Sequence, residues 1–311
     1  MSRSLKVAAV VSISVTGMLF AAMQHAKTLR TTRLLHQLPS TARAVLRIDS
    51  AALEKTAAGK TLLAALVATE QLSEIEMVCA LDPFEALSEV VAWIRGPDDQ
   101  PLQSIGVMLK GRAASAGTLA ACHRALVEGR GGTVLRLDGP SGPMLANREQ
   151  QSAIAVIDDR TIVAGSVTTV SEAIGVQRGT APALIERRSI AARWPFLARG
   201  SSISAILEPP GHWISALERV AERLGGPFAL EGAQTIGLLV ESGSAGAVVF
   251  SIDVSSAELA AENAARMRDW ITSPPEHLEP PWTDLLRTAR VSVRDRSIEV
   301  TVDVSSLSTA L

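Results

Sequence analysis

Residues 153–165 read AIAVIDDRTIVAG. Apolar residues run on both sides of Asp158-Asp159-Arg160, a pattern typical of two strands joined by a tight turn. Residues 289–304 repeat the arrangement. Asp159-Arg160-Thr161-Ile162 and Asp295-Arg296-Ser297-Ile298 therefore stand 136 positions apart in matching hairpins. This repetition predicts that the chain contains one αβ unit twice.

Outward from these hairpins, strand and helix patterns alternate from residue 39 onward. Each hairpin follows a helix, and the two helices share the string Leu-Ala-Ala at 119–121 and 259–261. The order of elements predicts an α+β fold with two ferredoxin-like βαββαβ modules and mainly antiparallel sheets. The predicted strands are 42–49, 89–95, 104–110, 133–137, 153–158, 162–165, 202–208, 235–241, 247–253, 289–294 and 297–304. The predicted helices are 50–80, 113–128, a short helix opened by a capping box at 169–172, 212–224 and 255–271.

The amino terminus has a different composition from the rest of the chain. Residues 7–23 carry no charge and follow Arg3 and Lys6. As a helix they would extend about 26 Å, which is enough to cross a thin hydrocarbon core. We expect an uncleaved signal anchor, with a cleaved signal peptide and a soluble apolar helix as alternatives. The residues expected to form the anchor include Val7, Val10, Val11, Val15, Leu19 and Phe20.

Four segments follow from these patterns. Residues 1–38 are the anchor and stalk, 39–178 the first module, 179–200 a linker with a helical segment, and 201–311 the second module. Basic residues are nearly balanced on the two sides of the span, so they do not set its orientation. The short amino-terminal tail and the single span favour the inner membrane, with the body in the periplasm.

Composition excludes several classes of partner. The 311 residues include no tyrosine, five Trp and five Phe, which disfavours aromatic platforms for bases or sugars. Because the net charge is −2, we expect no nucleic-acid partner. Three tryptophans lie in linker or proline-rich segments. We interpret Trp194, Trp213 and Trp282 as a possible binding surface, with simple packing as the alternative.

No motif for catalysis is present. The five histidines do not share helix-face spacing, and neither metal-binding nor nucleophile motifs occur. We therefore expect no catalytic, cofactor or metal site, and no enzymatic activity. Asp158-Asp159 is typical of a hairpin turn, with a paired-carboxylate site as the alternative. Glu208 and His212, at a strand-to-helix junction, are the candidates for a dispersed hydrolase site.

The two cysteines have similar surroundings in the sequence. Each shares a helix face with leucine or isoleucine, so both thiols are predicted to face the core. Free buried thiols are the expected state. If the body is exported, a Cys79–Cys122 disulfide is also permitted, and closing 43 residues would add about 4 kcal/mol of stability.

The string VIDDRTIVAGS at 156–166, Leu81-Asp82-Pro83 and the overall layout carry a family resemblance. On these features the chain resembles single-anchor envelope proteins of Gram-negative bacteria that place a duplicated αβ ectodomain behind an amino-terminal span. That resemblance implies no particular activity. We expect a non-enzymatic interaction or assembly module with a protein partner. A small-molecule or lipid-binding protein with a groove between modules is the first alternative, and the hydrolase is the second.

Overall fold

The structure is a computed structural model that describes most of the chain between residues 33 and 303. The described ranges are 33–55, 70–96, 104–112, 114–139, 142–147, 152–197, 201–210, 214–215, 219, 232–241, 247–274 and 282–303. The predicted anchor, 7–23, lies outside these residues. Within the described ranges, no helix combines the length and the apolar character needed to cross a membrane.

Twelve strands account for the described sheet. They are β1 Ala42–Asp49, β2 Leu87–Arg95, β3 Ser104–Gly111, β4 Val134–Gly139, β5 Gly142–Asn147, β6 Ser152–Val156, β7 Thr161–Ser166, β8 Ser201–Leu207, β9 Ala233–Glu241, β10 Ala247–Val254, β11 Arg290–Arg294 and β12 Ser297–Asp303. Their order across the sheet is β11-β12-β10-β9-β8-β1-β2-β3-β7-β6-β5-β4. The predicted α+β class with antiparallel strands is confirmed.

Helices connect these strands. They are α1 Ser50–Leu53, α2 Glu70–Cys79, α3 Pro83–Ala86, α4 Ala116–Gly129, α5 Val167–Gln177, α6 Arg188–Leu197, α7 Ala257–Thr272 and α8 Trp282–Thr288, with a 3₁₀ turn at Leu184–Glu186. Serine side chains cap three of the longer helices. The hydroxyls of Ser115, Ser166 and Ser256 accept hydrogen bonds from backbone amides of the first turn at 3.1–3.2 Å. Each cap satisfies a donor that has no partner inside its helix.

The strand order differs from the ferredoxin-like expectation. A split βαβ arrangement would place parallel strands side by side. Here every described pair is antiparallel. β1 pairs with β2, and β2 pairs with β3, in chain order. β1 also pairs with β8, so both halves of the chain share one sheet. Two separate modules, each with its own sheet, are therefore replaced by one sheet that continues across the linker.

The two halves share their strand registers. In each half, three strand pairs have the same alignment: the first strand with the second, the second with the third, and the third with a strand of the hairpin. The first two of these pairs also share a register shift at the same point. The matched pairs are Ala42↔Arg95 with Ser201↔Glu241, Ala44↔Ile94 with Ile203↔Val240, Leu87↔Gly111 with Ala233↔Val254, Glu89↔Lys110 with Thr235↔Asp253, and Lys110↔Thr161 with Asp253↔Ser297. The last match places the two hairpins 136 positions apart, as in the sequence.

Side chains alternate between the two faces of the sheet. We call face A the side that carries Val45, Val91 and Met108, and face B the side that carries Leu46 and Ala92. On face A, α5, the 3₁₀ turn, α6 and the helical segment at 33–37 cover a core that includes two fully buried tryptophans, Trp93 and Trp194. On face B, α3 and α4 cover the first half and α7 covers the second. The sheet therefore lies between two helical layers.

Candidate functional site

A cavity of about 630 Å³ opens on face A of the first half. It lies between the helical segment at 33–37, the ends of β1, β2 and β3, and the turn between β6 and β7. Leu34, Val91 and Met108 give it an apolar side. Its charged lining consists of four basic residues, Arg33, Arg47, Lys110 and Arg160, and four acidic residues, Asp49, Glu89, Asp158 and Asp159. Its volume falls within the range of sites that hold small molecules, about 300–1,000 Å³.

Strand register builds the polar wall of the cavity. Asp49, Glu89, Lys110 and Thr161 are direct cross-strand neighbours on β1, β2, β3 and β7. At about 4.8 Å between strands, this row spans about 14 Å. The next row on face A is mainly apolar, with Val91, Met108 and Val163 all buried. The charged groups therefore lie at the edge of the core rather than inside it.

Arg47 is bound by two of the four carboxylates. Its Nε lies 2.5 Å from Oε1 of Glu89, and a terminal nitrogen lies 3.1 Å from Oδ2 of Asp49. All three side chains are partly buried, so water screens these interactions less than at an open surface. Arg47 offsets one of the two carboxylate charges, so this side of the cavity keeps a net negative charge.

Asp158 acts within its own turn. Burial by itself would raise the pKa of this carboxyl, but hydrogen bonds from Arg160 and Thr161 and the charge of Lys110 outweigh burial and lower the pKa. The backbone N–H of Arg160 donates to Oδ1 of Asp158 at 2.8 Å. These bonds fit the predicted turn function.

The basic groups of the cavity are less engaged. Among the described residues, the side chains of Lys110 and Arg33 form neither a hydrogen bond nor an ion pair with a carboxylate. Lys110 is exposed at the mouth of the cavity and contributes to the field that acts on Asp158. Because the lining has four basic and four acidic residues, its charges balance in number.

The tryptophans do not form a common described surface. Trp194 is 0% exposed and belongs to the face A core, so its expected place on a binding surface is wrong. The apolar sequence around it, read as a linker, folds onto the sheet as α6. Trp213 lies outside the described residues. Trp282 begins α8, and its side chain also lies outside the described part.

The hydrolase candidate is only partly described. The carboxylate of Glu208 forms ion pairs with Arg187 at 2.7 Å and with Arg43 at 3.3 Å. Ser189 also donates a hydrogen bond to it. Because these partners occupy the carboxylate, Glu208 joins the linker to β1 and β8. His212 lies outside the described residues.

Cys79 and Cys122 form a disulfide, and their Cα atoms are 5.0 Å apart. The bond joins the end of α2 to the middle of α4, where free thiols were the expected state. Arg130 forms an ion pair with Glu74 across the same two helices. Within the described ranges, no group of three or more His, Cys, Asp or Glu residues is arranged to hold a metal ion.

Sequence reasoning missed the cavity as a site. Arg47, Asp49, Glu89 and Lys110 are charged residues near the ends of otherwise apolar strands, and this signal is visible in the sequence. Period-2 alternation places Arg47 and Asp49 on one face of β1. The alignment of β1, β2, β3 and β7 then decides that these residues meet.

Two solved structures show limited similarity to this chain. Crystal forms III and IV of a protein designated TP0453 are each similar to this chain, with a TM-score of 0.48 and 10% identity. The alignment with form III covers 88% of this chain and 96% of that chain. For form IV the values are 89% and 95%. No protein-family model and no curated protein matches the sequence.

Proposed function

We propose that this chain is a non-enzymatic interaction module of the bacterial envelope, held at the inner membrane by its amino-terminal segment with its body in the periplasm. The uncharged run at 7–23 supports the membrane attachment. The Cys79–Cys122 disulfide supports the compartment, because such bonds persist in the periplasm and are rare in the cytosol.

We infer further that the two halves are copies of one unit. Three strand registers recur at constant offsets, and two irregularities recur with them. A chance resemblance of local turns would not reproduce the alignment of whole strands. The unit is a meander of three strands followed by a helix and a hairpin.

The observation that carries the interaction role is an apolar row on face B. Register connects one residue from each of eight strands into this row, and every member is at least partly exposed. In order across the sheet they are Ala164, Val107, Ala92, Leu46, Ala205, Leu238, Phe250 and Val300. The row extends about 34 Å. Leu46, near the centre of the row, is 36% exposed, and Phe250, toward one end of the row, is 43% exposed.

A protein partner with an apolar helical surface fits this row. The described helices α4 and α7 already pack on face B at its two ends, in one layer. A helix placed between them would extend that layer and cover the apolar side chains. The row offers only hydrocarbon side chains, so its partner would need an apolar stripe rather than charged groups.

Site-specific crosslinking in membranes tests this proposal. A photoreactive benzoylphenylalanine replaces Leu46 or Phe250 in the full chain, and Met77, 83% exposed on α2, serves as the control position. We expect the same second polypeptide in the adducts from Leu46 and Phe250, and its absence at Met77. Leu46→Glu should lower the Phe250 adduct about tenfold, the effect of 1.4 kcal/mol, and Met77→Glu should leave it unchanged.

Three outcomes would reject the protein partner. The first is an adduct within the chain itself, which would mean that its own residues cover the row. The second is no adduct at either position. The third is a phospholipid adduct, which would support the lipid-binding alternative instead.

A second candidate function is small-ligand binding, and the charged cavity on face A favours it. The cavity has the volume of a ligand site and combines an apolar side with charged groups. It differs from the expected groove between modules because it lies within the first half.

A further inference from the structure

The two hairpins differ in what lies beside their outer strands. In the first half, β5 pairs with β6, with Leu145 opposite Ile154. Ile154 in turn pairs with Ala164 on β7. In the second half, Val291 on β11 pairs with Val300 on β12 at the matching position. β11 therefore corresponds to β6, but in the described sheet β11 is the last strand and has no counterpart of β5 beside it.

The interval that precedes each hairpin accounts for this difference. Between α4 and β6, the first half contains the strands β4 and β5. Between α7 and β11, the described part of the second half contains α8 instead. The first half therefore provides its own covering strand, and the described residues of the second half do not.

β11 turns two peptide groups toward this open side. In an antiparallel pair, residues that bond to the partner strand alternate with residues whose N–H and C=O point away from it. The two-residue turn Asp295-Arg296 closes on Arg294, which belongs to the hydrogen-bonded pair next to such a turn. Val293 and Val291 therefore present their N–H and C=O outward. The side chain of Arg268 donates to the carbonyl of Val291 at 3.4 Å, as an outward carbonyl permits.

The side chains of β11 form a pattern that is the same in both directions, Arg-Val-Ser-Val-Arg at 290–294. The two arginines are exposed on face A. The two valines lie on face B, where Val291 packs with the core under α7 and Val293 is 36% exposed. An added strand would continue both faces, with an apolar side chain beside each valine and a polar side chain beside each arginine.

Charge favours an acidic strand at this edge. Within the described residues, neither Arg290 nor Arg294 forms an ion pair or a side-chain hydrogen bond. The two acids of β12, Glu299 and Asp303, are diagonal to these arginines rather than opposite them. Diagonal neighbours are about 7–8 Å apart, whereas the Cβ atoms of direct neighbours are about 4.5–5.5 Å apart. A carboxylate opposite each arginine on an added strand would therefore lie closer than the acids of β12.

A second copy of β11 does not fit this edge. Antiparallel pairing centred on Ser292 would place Arg290 opposite Arg294 of the copy, and like charges directly opposite each other are destabilising. Charged side chains are a common protection of a sheet edge against pairing with itself. The same side chains attract a strand of opposite charge.

We propose that β11 binds an extended acidic segment of a partner protein, which adds to the sheet as β5 adds to β6. The segment runs antiparallel to β11, with carboxylates opposite Arg290 and Arg294 and apolar side chains beside Val291 and Val293. In this mode of recognition, main-chain hydrogen bonds supply affinity and side chains supply specificity. The edge is distinct from the apolar row on face B, and its binding does not depend on the partner proposed for that row.

Fluorescence anisotropy of a labelled peptide, measured with the full chain, tests the proposal. The probe contains Glu-Val-Thr-Val-Glu, and a matched peptide contains Lys-Val-Thr-Val-Lys. We expect saturable binding of the acidic peptide and at least about tenfold weaker binding of the basic peptide. Val293→Pro removes an outward N–H and should weaken binding of the acidic peptide about tenfold. Val293→Thr keeps the N–H and should bind like the wild type, as should Arg136→Pro on β4, the strand at the other edge.

Reversing the charges provides a second variant. Arg290→Glu combined with Arg294→Glu changes two exposed side chains and should reverse the preference, so that the basic peptide binds more tightly than the acidic one. This double variant decides the matter if Val293→Pro does not fold. An unchanged preference in it would reject the predicted contacts.

Other outcomes would also overturn the proposal. These are the absence of saturable binding, equal affinity for the two peptides, and equal affinity in Val293→Pro and Val293→Thr. Self-association in sedimentation that Val293→Pro abolishes would assign the edge to a second copy of the chain. Leu46→Glu should leave peptide binding unchanged, and a loss of binding in this variant would assign the peptide to face B instead.

Discussion

Removing the disulfide between Cys79 and Cys122 should destabilise the protein by an amount that depends on the length of the loop that the bond closes. The bond closes 43 residues, and the entropy of closing that loop in the unfolded chain corresponds to about 4 kcal/mol. The double substitution Cys79→Ala and Cys122→Ala should therefore lower the free energy of unfolding by about that amount. Guanidinium denaturation, with and without reductant, measures the difference.

The same experiment contains its control. Reductant should destabilise the wild type to the level of the double variant and leave the variant unchanged. Met77→Ala, an exposed change on the same helix, should alter stability by no more than about 0.5 kcal/mol. Two free thiols in the mass of protein purified from the periplasm would refute the reasoning. So would a double variant within about 1 kcal/mol of the wild type under oxidising conditions.

Three further predictions concern single side chains. Trp194→Ala should lower the free energy of unfolding by about 3–5 kcal/mol, because the ring is fully buried. Thermal denaturation measures this loss, and comparison with Trp194→Phe shows how much of the loss depends on ring size. Arg193→Met should cost about 2 kcal/mol in denaturant unfolding, because Asp253 loses its charged partner, and pairing it with Asp253→Asn in a double-mutant cycle isolates their interaction. Asp158→Asn should destabilise at neutral pH. Since the folded pKa of Asp158 is depressed, that difference should persist above the ordinary value of 3.8 and vanish as pH falls through the folded pKa, which stability measured against pH will show.

Local patterns predicted individual elements well. The alternation at 42–49 predicts the strand that the structure has at Ala42–Asp49, and 104–110 differs from β3 by one residue. β5 is absent from the prediction because Gly142-Pro143 is typical of a turn, and pairing with β4 and β6 overrides that preference. The helix expected from the capping box at 169–172 begins earlier, at Val167. Ser166 caps it, and the hydroxyl of Thr169 donates to Ser104 instead.

Sheet order was not predictable from these patterns. Pairing between β1 and β8 joins residues about 160 positions apart, and no local signal records it. The hairpin match at 136 positions survives as a structural correspondence, whereas the ferredoxin-like arrangement inferred from it does not. Order of elements along a chain is compatible with several orders within a sheet, and the contacts between strands select among them.

The candidate site depends on the same long-range contacts. The sequence predicts Asp158-Asp159 as a turn, and the bonds of Asp158 fit that interpretation. Lys110 and Arg33 have no sequence motif, because neither has a partner nearby in the chain. Only the strand register shows that Lys110 holds the position of Asp253 in the second half.

The antiparallel pairing of β1 with β8 has a consequence for how such a chain originates. Because the two strands are the first of their respective halves, a pseudo-twofold axis passes between them, perpendicular to the sheet. A polypeptide with one half alone would expose β1 as an open edge, and two such polypeptides would close it as a symmetric dimer. Gene fusion would convert that dimer into one chain and release its halves from identical sequences.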